Sequence, residues 1–348
     1  MKKWFGLFAS ASILLAACGN DGDTDEGTTD EGGSEEGGTL VIYSPNSEGL
    51  INATIPAFEE KYGVTVELIQ AGTGELFTKL ESEKDAPVAD IIFGGGYAQY
   101  SMSTDLFEEY VSSENESVIP DYQNETGFYT PYTLDGSVLV VNPDLIGDIE
   151  ITSYEDLLNP ELKGKIASGD AANSSSSFAQ LTNMLLAKGG YESDEAWQYV
   201  EDLYTNIDGK ISSSSSNVYK TVADGEMAVG LSYEDPIAKL INDGANVEIV
   251  YPSEGVVFLP ASAAIIKGTS NRGNAEKFID FIISQEVQNV LATTTTNRPV
   301  REDVETSDSM ATFSDINSIQ EDMDYVSENR ENIIDKYTEI FIDIESNR

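Results

Sequence analysis

The sequence has 348 residues, with 62 acidic against 19 basic side chains, a formal charge of −43, one cysteine and no histidine. So acidic a chain repels nucleic acid and anionic headgroups. The missing histidine removes Ser-His-Asp and Cys-His nucleophiles, H-E-x-x-H zinc sites and facial-triad iron sites, and no G-x-x-x-x-G-K-[ST] loop occurs for phosphate hydrolysis.

Met1-Lys2-Lys3 is followed by an apolar stretch from Trp4 to Ala17 that ends in Leu15-Ala16-Ala17. These are, in order, the charged, apolar and small-residue parts of an export signal, so residues 1–17 are expected to be removed. The fourteen residues between Lys3 and Cys18 are too few to cross a bilayer, which takes about 20. Cys18, just after the cleavage site, is similar to the lipobox cysteine of bacterial lipoproteins. That similarity implies lipidation of Cys18 and a lipid anchor on the outer face of the cell membrane. Residues 18–38 are expected to be an acidic tether, because positions 20–38 carry eight acids and six glycines without a large apolar side chain. Such a segment buries too little surface to offset the entropy of ordering.

From Thr39 onward, β-branched runs alternate with helical patterns, the mark of an α/β fold with mostly parallel strands. Strands are expected at 40–43, 64–69, 90–93, 138–141, 165–167, 227–231, 247–251 and 261–266, with helices at 50–62, 75–82, 178–187, 194–204 and 274–291. About 310 residues exceed what one core usually serves, so two lobes are expected. Thr133-Leu134-Asp135-Gly136 reads as a turn at the first crossing, and Phe258-Leu259-Pro260 as the return. Lobe one then comprises 39–135 with 259–348, and lobe two 136–258. Ile333, Ile334, Tyr337, Ile340, Phe341 and Ile344 recur at helical spacing, so the tail 331–344 should dock as an amphipathic helix.

Two serine runs stand at helix starts. Ser174 to Ser177 precede the apolar face of Phe178, Leu181, Leu185 and Leu186, and Ser212 to Ser216 precede a shorter helical stretch. Hydroxyls beside unpaired N–H groups at the positive end of a helix dipole suit a phosphate-like anion, although a run of this kind can equally be one cap and loop filler. The strand ending at Leu231 must deliver Ser232, Tyr233, Glu234 and Asp235 to its carboxyl end, where open α/β sheets bind ligands. Glu234 and Asp235 taken alone read as a solvated strand end, with Asp235 starting the next helix ahead of Pro236. Paired-carboxylate glycoside hydrolysis needs no histidine, but beyond the export signal the only tryptophan is Trp197, where sugar clefts usually present several stacking rings. No enzyme activity and no cofactor are expected.

Several segments together resemble the family-1 extracellular solute-binding proteins: Leu40 to Ser44, Phe58 to Val64, Pro87 to Ile92, Leu157 to Ile166 and Gly225 to Gly230. The branch is the one that includes ferric-ion, phosphonate, phosphoglycerate and hexose-phosphate binders, and the resemblance covers residues 39 to 300 in order. It implies a two-lobed periplasmic-binding-protein-like fold of type II, an interlobe ligand cleft and delivery of solute to an ABC permease, with the chain acting as a monomer. Ferric members of the branch hold iron with two adjacent tyrosines, a glutamate and often a histidine. At the matching positions this chain has Glu234 and Asp235, Gly95, and Ser47, so no metal site is expected and iron stays an alternative cargo. The phosphate-binding positions of the family match Ser175, Ser176 and Ser177, with Ser214 and Ser215 nearby. The resemblance therefore implies a small phosphorylated or phosphonate solute, such as 2-aminoethylphosphonate or a sugar phosphate. Ser44, Asn46, Ser47, Gly95 and Gly96 would contribute from lobe one, and Tyr233, Glu234, Asp235 and Asp135 would read the other end of the solute.

Overall fold

The computed structural model describes residues 37–347 except 210 and 213. The expected export signal, Cys18 and all of the expected tether except Gly37 and Gly38 lie outside the described residues. The first part of the fold runs β1 (Thr39–Ser44), α1 (Glu48–Tyr62), β2 (Thr65–Gln70), α2 (Thr73–Glu83), β3 (Ile91–Gly96) and α3 (Tyr97–Ser101). A long strand, β4 (Thr130–Val141), leads to α4 (Pro143–Ile146), β5 (Ile166–Gly169), α5 (Ser175–Ala187), α6 (Asp194–Ile207) and β6 (Ile211–Ser212). Then follow α7 (Ser215–Ala223), β7 (Val229–Tyr233), α8 (Glu234–Asn242), β8 (Glu248–Val250) and β9 (Phe258–Ile265). The chain closes with α9 (Arg272–Ile282), α10 (Gln285–Thr294), β10 (Arg298–Pro299), α11 (Met323–Glu328) and α12 (Arg330–Ser346).

The strands are joined in the order β2-β1-β3-β9-β4-β7-β5-β6, with β8 and β10 also on β4. Neighbouring β1, β2 and β3 are parallel, while β9 is antiparallel to both β3 and β4. This mixed α/β architecture is the two-domain fold expected, but the strands are not mostly parallel as the sequence suggested, since β7, β8, β9 and β10 all run antiparallel to β4. The central strands read as apolar runs because both faces are covered, while the edge strand β2 is largely exposed. Ile91 and Phe93 of β3 face one cluster with Phe58 and Phe278, whereas Ile92 faces another with Tyr43, Leu76 and Tyr100. A third cluster packs Leu139 and Val141 of β4 against Leu181, Trp197 and Leu203.

The expected turn at Thr133–Gly136 is not a turn. Residues 130–136 pair with β9, and 137–141 pair with β7, so one extended strand passes from one set of strands to the other. Gly136 permits this because a Cβ there would fall 2.5 Å from the Phe258 ring. The helix expected at 274–291 is two helices, broken where the Ser284 hydroxyl donates to Phe281 O at 2.7 Å and caps Val287 N at the start of α10. The amphipathic tail is present as α12, but it packs on α6, with Ile333 and Tyr337 in the Trp197 cluster. It therefore does not sit with residues 39–135, as its place in the 259–348 segment suggested. On the way there, α11 lies between the two groups of strands. Tyr97 donates to Asp324 at 2.9 Å, and Tyr325 stacks on Tyr191 with ring centres 5.1 Å apart.

Among the described residues no helix is long and apolar enough to cross a membrane. One ion pair is wholly internal. Arg298 of β10 and Glu234 at the start of α8 are 2% and 1% exposed, joined through Nε at 2.7 Å and Nη2 at 2.6 Å. Arg298 also donates to Ala311 O at 2.7 Å and lies over the Phe258 ring. Removing one partner strands the other charge, whereas replacing both with apolar groups does not. Arg298→Met is expected to destabilise by about 3–5 kcal/mol, and Arg298→Met with Glu234→Met to recover most of that loss. Urea unfolding checks this, and a double variant no more stable than the single one would refute it.

Candidate functional site

The site is built where strands end and helices begin. In the first such loop Ser44 is buried, its hydroxyl donating to Phe93 O at 2.6 Å and accepting from Asn46 N at 3.2 Å. The Asn46 amide donates to the same carbonyl at 3.0 Å, and its oxygen accepts from Tyr132 at 2.9 Å. Both side chains therefore brace the β1–α1 loop against β3 and β4. Ser47 is exposed at the N-cap of α1 and makes no capping bond with its side chain. Gly94 and Gly95 have φ of 115° and 102°, and a Cβ on them would fall 2.6 Å from Asn46 Oδ1 and 2.9 Å from Thr73 Cγ2. Their small size is used for loop packing. Gly96 is exposed and caps α3.

Opposite this loop in the strand order, β5 ends at Gly169 and α5 begins. The residue that caps α5 is Ser174, which sequence reasoning did not single out. Its hydroxyl accepts from Ser177 N at 3.3 Å and from the Ser177 hydroxyl at 3.0 Å, and it lies 3.3 Å from that of Ser176. Ser177 is buried over Gly169, where a Cβ would come within 2.0 Å of its hydroxyl. Ser175 is left exposed and Ser176 half-buried. Ser214 stands at the N-cap of α7, its hydroxyl 2.9 Å from that of Ser216. The two helix starts are neighbours, since Asp170 N donates to Ser212 O at 2.9 Å. Ser215 lies beside Tyr233, whose half-buried ring meets Tyr219 edge-on at 6.2 Å. Burial first, and then the Asp135 charge, push the Tyr233 phenol up and hold it protonated.

The acidic end differs from expectation. Glu234 is not a solvated strand end: Arg298 and the Tyr251 hydroxyl enclose it, so it is already neutralised. Arg298 and Tyr251 were missed because they lie far along the chain from Glu234. The available signal was an arginine between a threonine run and Pro299 in a base-poor sequence. Asp235 is half-buried and accepts from the Thr296 hydroxyl. Burial raises its pKa, the Thr296 bond lowers it in part, and the Glu234 charge adds to the rise. Asp135 keeps some exposure, but its Oδ1 is closed off from solvent without a hydrogen-bond partner. Burial, then the charges of Asp235 and Glu234, hold its carboxyl well above the aspartate value of 3.8, against a smaller pull from the Asp235 and Glu234 amides. Ser215, Tyr233, Asp135 and Asp235 thus form one neighbourhood beginning at the serine helices. Ser44 and Asn46 belong to a separate brace that reaches β4 at Tyr132. Among the described residues no group of three or more Asp, Glu, His or Cys side chains is placed to hold a metal ion.

Residues 53–316 match the family model of the bacterial extracellular solute-binding proteins, and the chain belongs to that family. Its members are solute-binding proteins of ABC importers and not enzymes; they take up small solutes outside the cell and pass them to a permease. The iron uptake protein A1 of Synechocystis is 25% identical over 324 residues, spanning 88% of this chain and 87% of that one. A Salmonella typhimurium periplasmic protein named for binding 2-aminoethylphosphonate is 25% identical over 261 residues, 72% of this chain and 74% of its own. The solved structure of the periplasmic binding protein AfuA from Actinobacillus pleuropneumoniae, with exogenous fructose-6-phosphate bound, superposes with a TM-score of 0.69 at 25% identity. The match covers 87% of this chain and 98% of that one.

An aspartate whose pKa is higher folded than unfolded takes up protons on folding, so it penalises the folded state increasingly as pH rises above the unfolded value. Asp135→Asn is therefore expected to stabilise the protein at neutral pH, with the advantage shrinking to nothing below the ordinary value of 3.8. Urea unfolding of both proteins over an acid-to-neutral pH series tests this; an advantage that grew on acidification would contradict it.

Proposed function

We propose that this protein captures a small phosphorylated or phosphonate solute outside the cell and hands it to an ABC permease. The adjoining starts of α5 and α7, with Ser175, Ser176, Ser214 and Ser215 beside them, support this reading most directly. Each supplies hydroxyls and unpaired amides at the positive end of a helix dipole. Tyr233, Asp235 and Asp135 take the far end of the solute, as an amine in an aminoalkylphosphonate or as hydroxyls in a sugar phosphate. Glu234 acts through Arg298, by fixing where α8 begins. Ser47 and Gly96, exposed at the starts of α1 and α3, contribute from lobe one, whose Ser44, Asn46 and Gly95 shape the loops that carry them.

Lobe one comprises 39–135 and the strands and helices from 259 onward, lobe two comprises 136–258, and α12 rides on lobe two. Solute contacts on both lobes favour the closed arrangement, and that arrangement docks on the permease. The protein works as a monomer held to the outer face of the cell membrane through lipid on Cys18. Similarity to an iron uptake protein makes ferric ion the second reading, though the tyrosine pair of ferric relatives is replaced by Glu234 and Asp235, the first of which is occupied by Arg298.

A thermal-shift screen of sugar phosphates, phosphoglycerates, aminoalkylphosphonates and iron salts separates the two readings. A ligand at 100 times its dissociation constant stabilises by about 2.7 kcal/mol. Ser176→Asp is expected to abolish the shift given by an oxyanion and to spare one given by iron. A shift with iron alone, or an oxyanion shift untouched by Ser176→Asp, would overturn the proposal.

A further inference from the structure

A concavity of about 350 Å3 is lined by none of the residues assigned to solute capture. It lies between the 120–126 loop, the first turn of α3, the beginnings of β4 and β9, and the approach to α11. Tyr97 and Tyr129 form a corner of it, their rings meeting edge-on at 82° with centres 5.9 Å apart. A third ring, Tyr122, is fixed by its hydroxyl donating to Phe258 O at 3.2 Å. Tyr97 donates to Asp324 Oδ1 at 2.9 Å, which leaves its ring rich in electron density.

The charge around these rings is one-sided. Asp121 and Glu125 line the groove and Asp324 adjoins it through Tyr97, while no lysine or arginine lines it. Asp121 accepts only from the neutral Gln320 amide, at 3.2 Å, and Glu125 makes no ion pair among the described residues. An anion would be repelled here, and a neutral sugar would leave the carboxylates uncompensated. A cation gains from the carboxylates and from the Tyr97 ring, the least buried of the three, with a cation–π contact worth about 0.5–2 kcal/mol. The volume lies at the lower end of the range of small-molecule sites, roughly 300–1,000 Å3. We propose that this groove binds a small organic ammonium ion, at a site separate from the solute site.

The test titrates the full chain with choline and with its uncharged isostere, in which carbon replaces the quaternary nitrogen, following tyrosine fluorescence and heat. Choline is expected to saturate, and the isostere to bind about tenfold more weakly. Tyr97→Leu, which removes a wall, is expected to weaken choline about tenfold. Tyr97→Phe keeps the ring while losing the hydroxyl and its Asp324 bond, so it should weaken choline much less than Tyr97→Leu does, which separates the ring's role from a general loss of structure. Glu125→Gln should weaken choline and reduce its salt dependence. Ser176→Asp, in the solute site, should leave choline binding unchanged. The proposal is overturned if choline fails to saturate at tens of millimolar, if the isostere or neutral sugars bind as well, if Tyr97→Leu binds as the parent does, or if Ser176→Asp abolishes choline binding.

Discussion

Arg298 and Glu234 hold together the region where the two sets of strands meet. The guanidinium comes from β10, which pairs with the first half of β4, and the carboxylate from the first residue of α8, which follows the strand paired with the second half. Phe258 at the start of β9 lies under the guanidinium, and Tyr251 just after β8 donates to the carboxylate. Four segments, β10, the start of α8, the residue after β8 and the start of β9, therefore converge on one buried pair. Taking two charges out of water is expensive unless their geometry is good and their remaining hydrogen-bonding capacity is met. Here the carboxylate is held by two guanidinium nitrogens and a phenol, while a backbone carbonyl takes a further guanidinium donor.

That pair also determines the character of the acidic neighbourhood. With Arg298 committed to Glu234, Asp135 and Asp235 share a poorly solvated place, and both carboxyls are raised in pKa mainly by burial. Two such carboxyls, beside a Tyr233 phenol kept protonated, can accept hydrogen bonds from a ligand or pair with its amine. The serine helices a few residues away offer the opposite polarity. Donors at one end and acceptors at the other are the chemical basis of the proposed solute, with its anionic head and polar or cationic tail.

Much of the fold was legible because its strands are buried on both faces. Leu40 to Tyr43, Ile91 to Phe93 and Val138 to Val141 read as apolar runs, and each is part of a strand. Local rules failed where the explanation was not local. Residues 133–136 look like a polar turn because Thr133, Asp135 and Gly136 have no apolar period, yet they continue β4, with Gly136 accommodating Phe258 from a strand over a hundred residues later. The break at Ser284 interrupts a run whose apolar spacing continues through it, and only the capping bonds at both helix ends mark it.

What the sequence by itself determined is the class: alternating strands and helices, two serine-started helices, and no histidine, features that depend on residue type and short-range periodicity. Tertiary structure alone decided which polar side chains are free to meet a solute. Ser174 became the cap of α5 and Ser177 was buried over Gly169, Ser44 and Asn46 turned inward to brace a loop, and Glu234 was taken by Arg298. The physical reason is that a buried polar group must find a partner wherever the fold brings one within about 3 Å, and that partner is set by packing between segments that spacing along the chain does not connect.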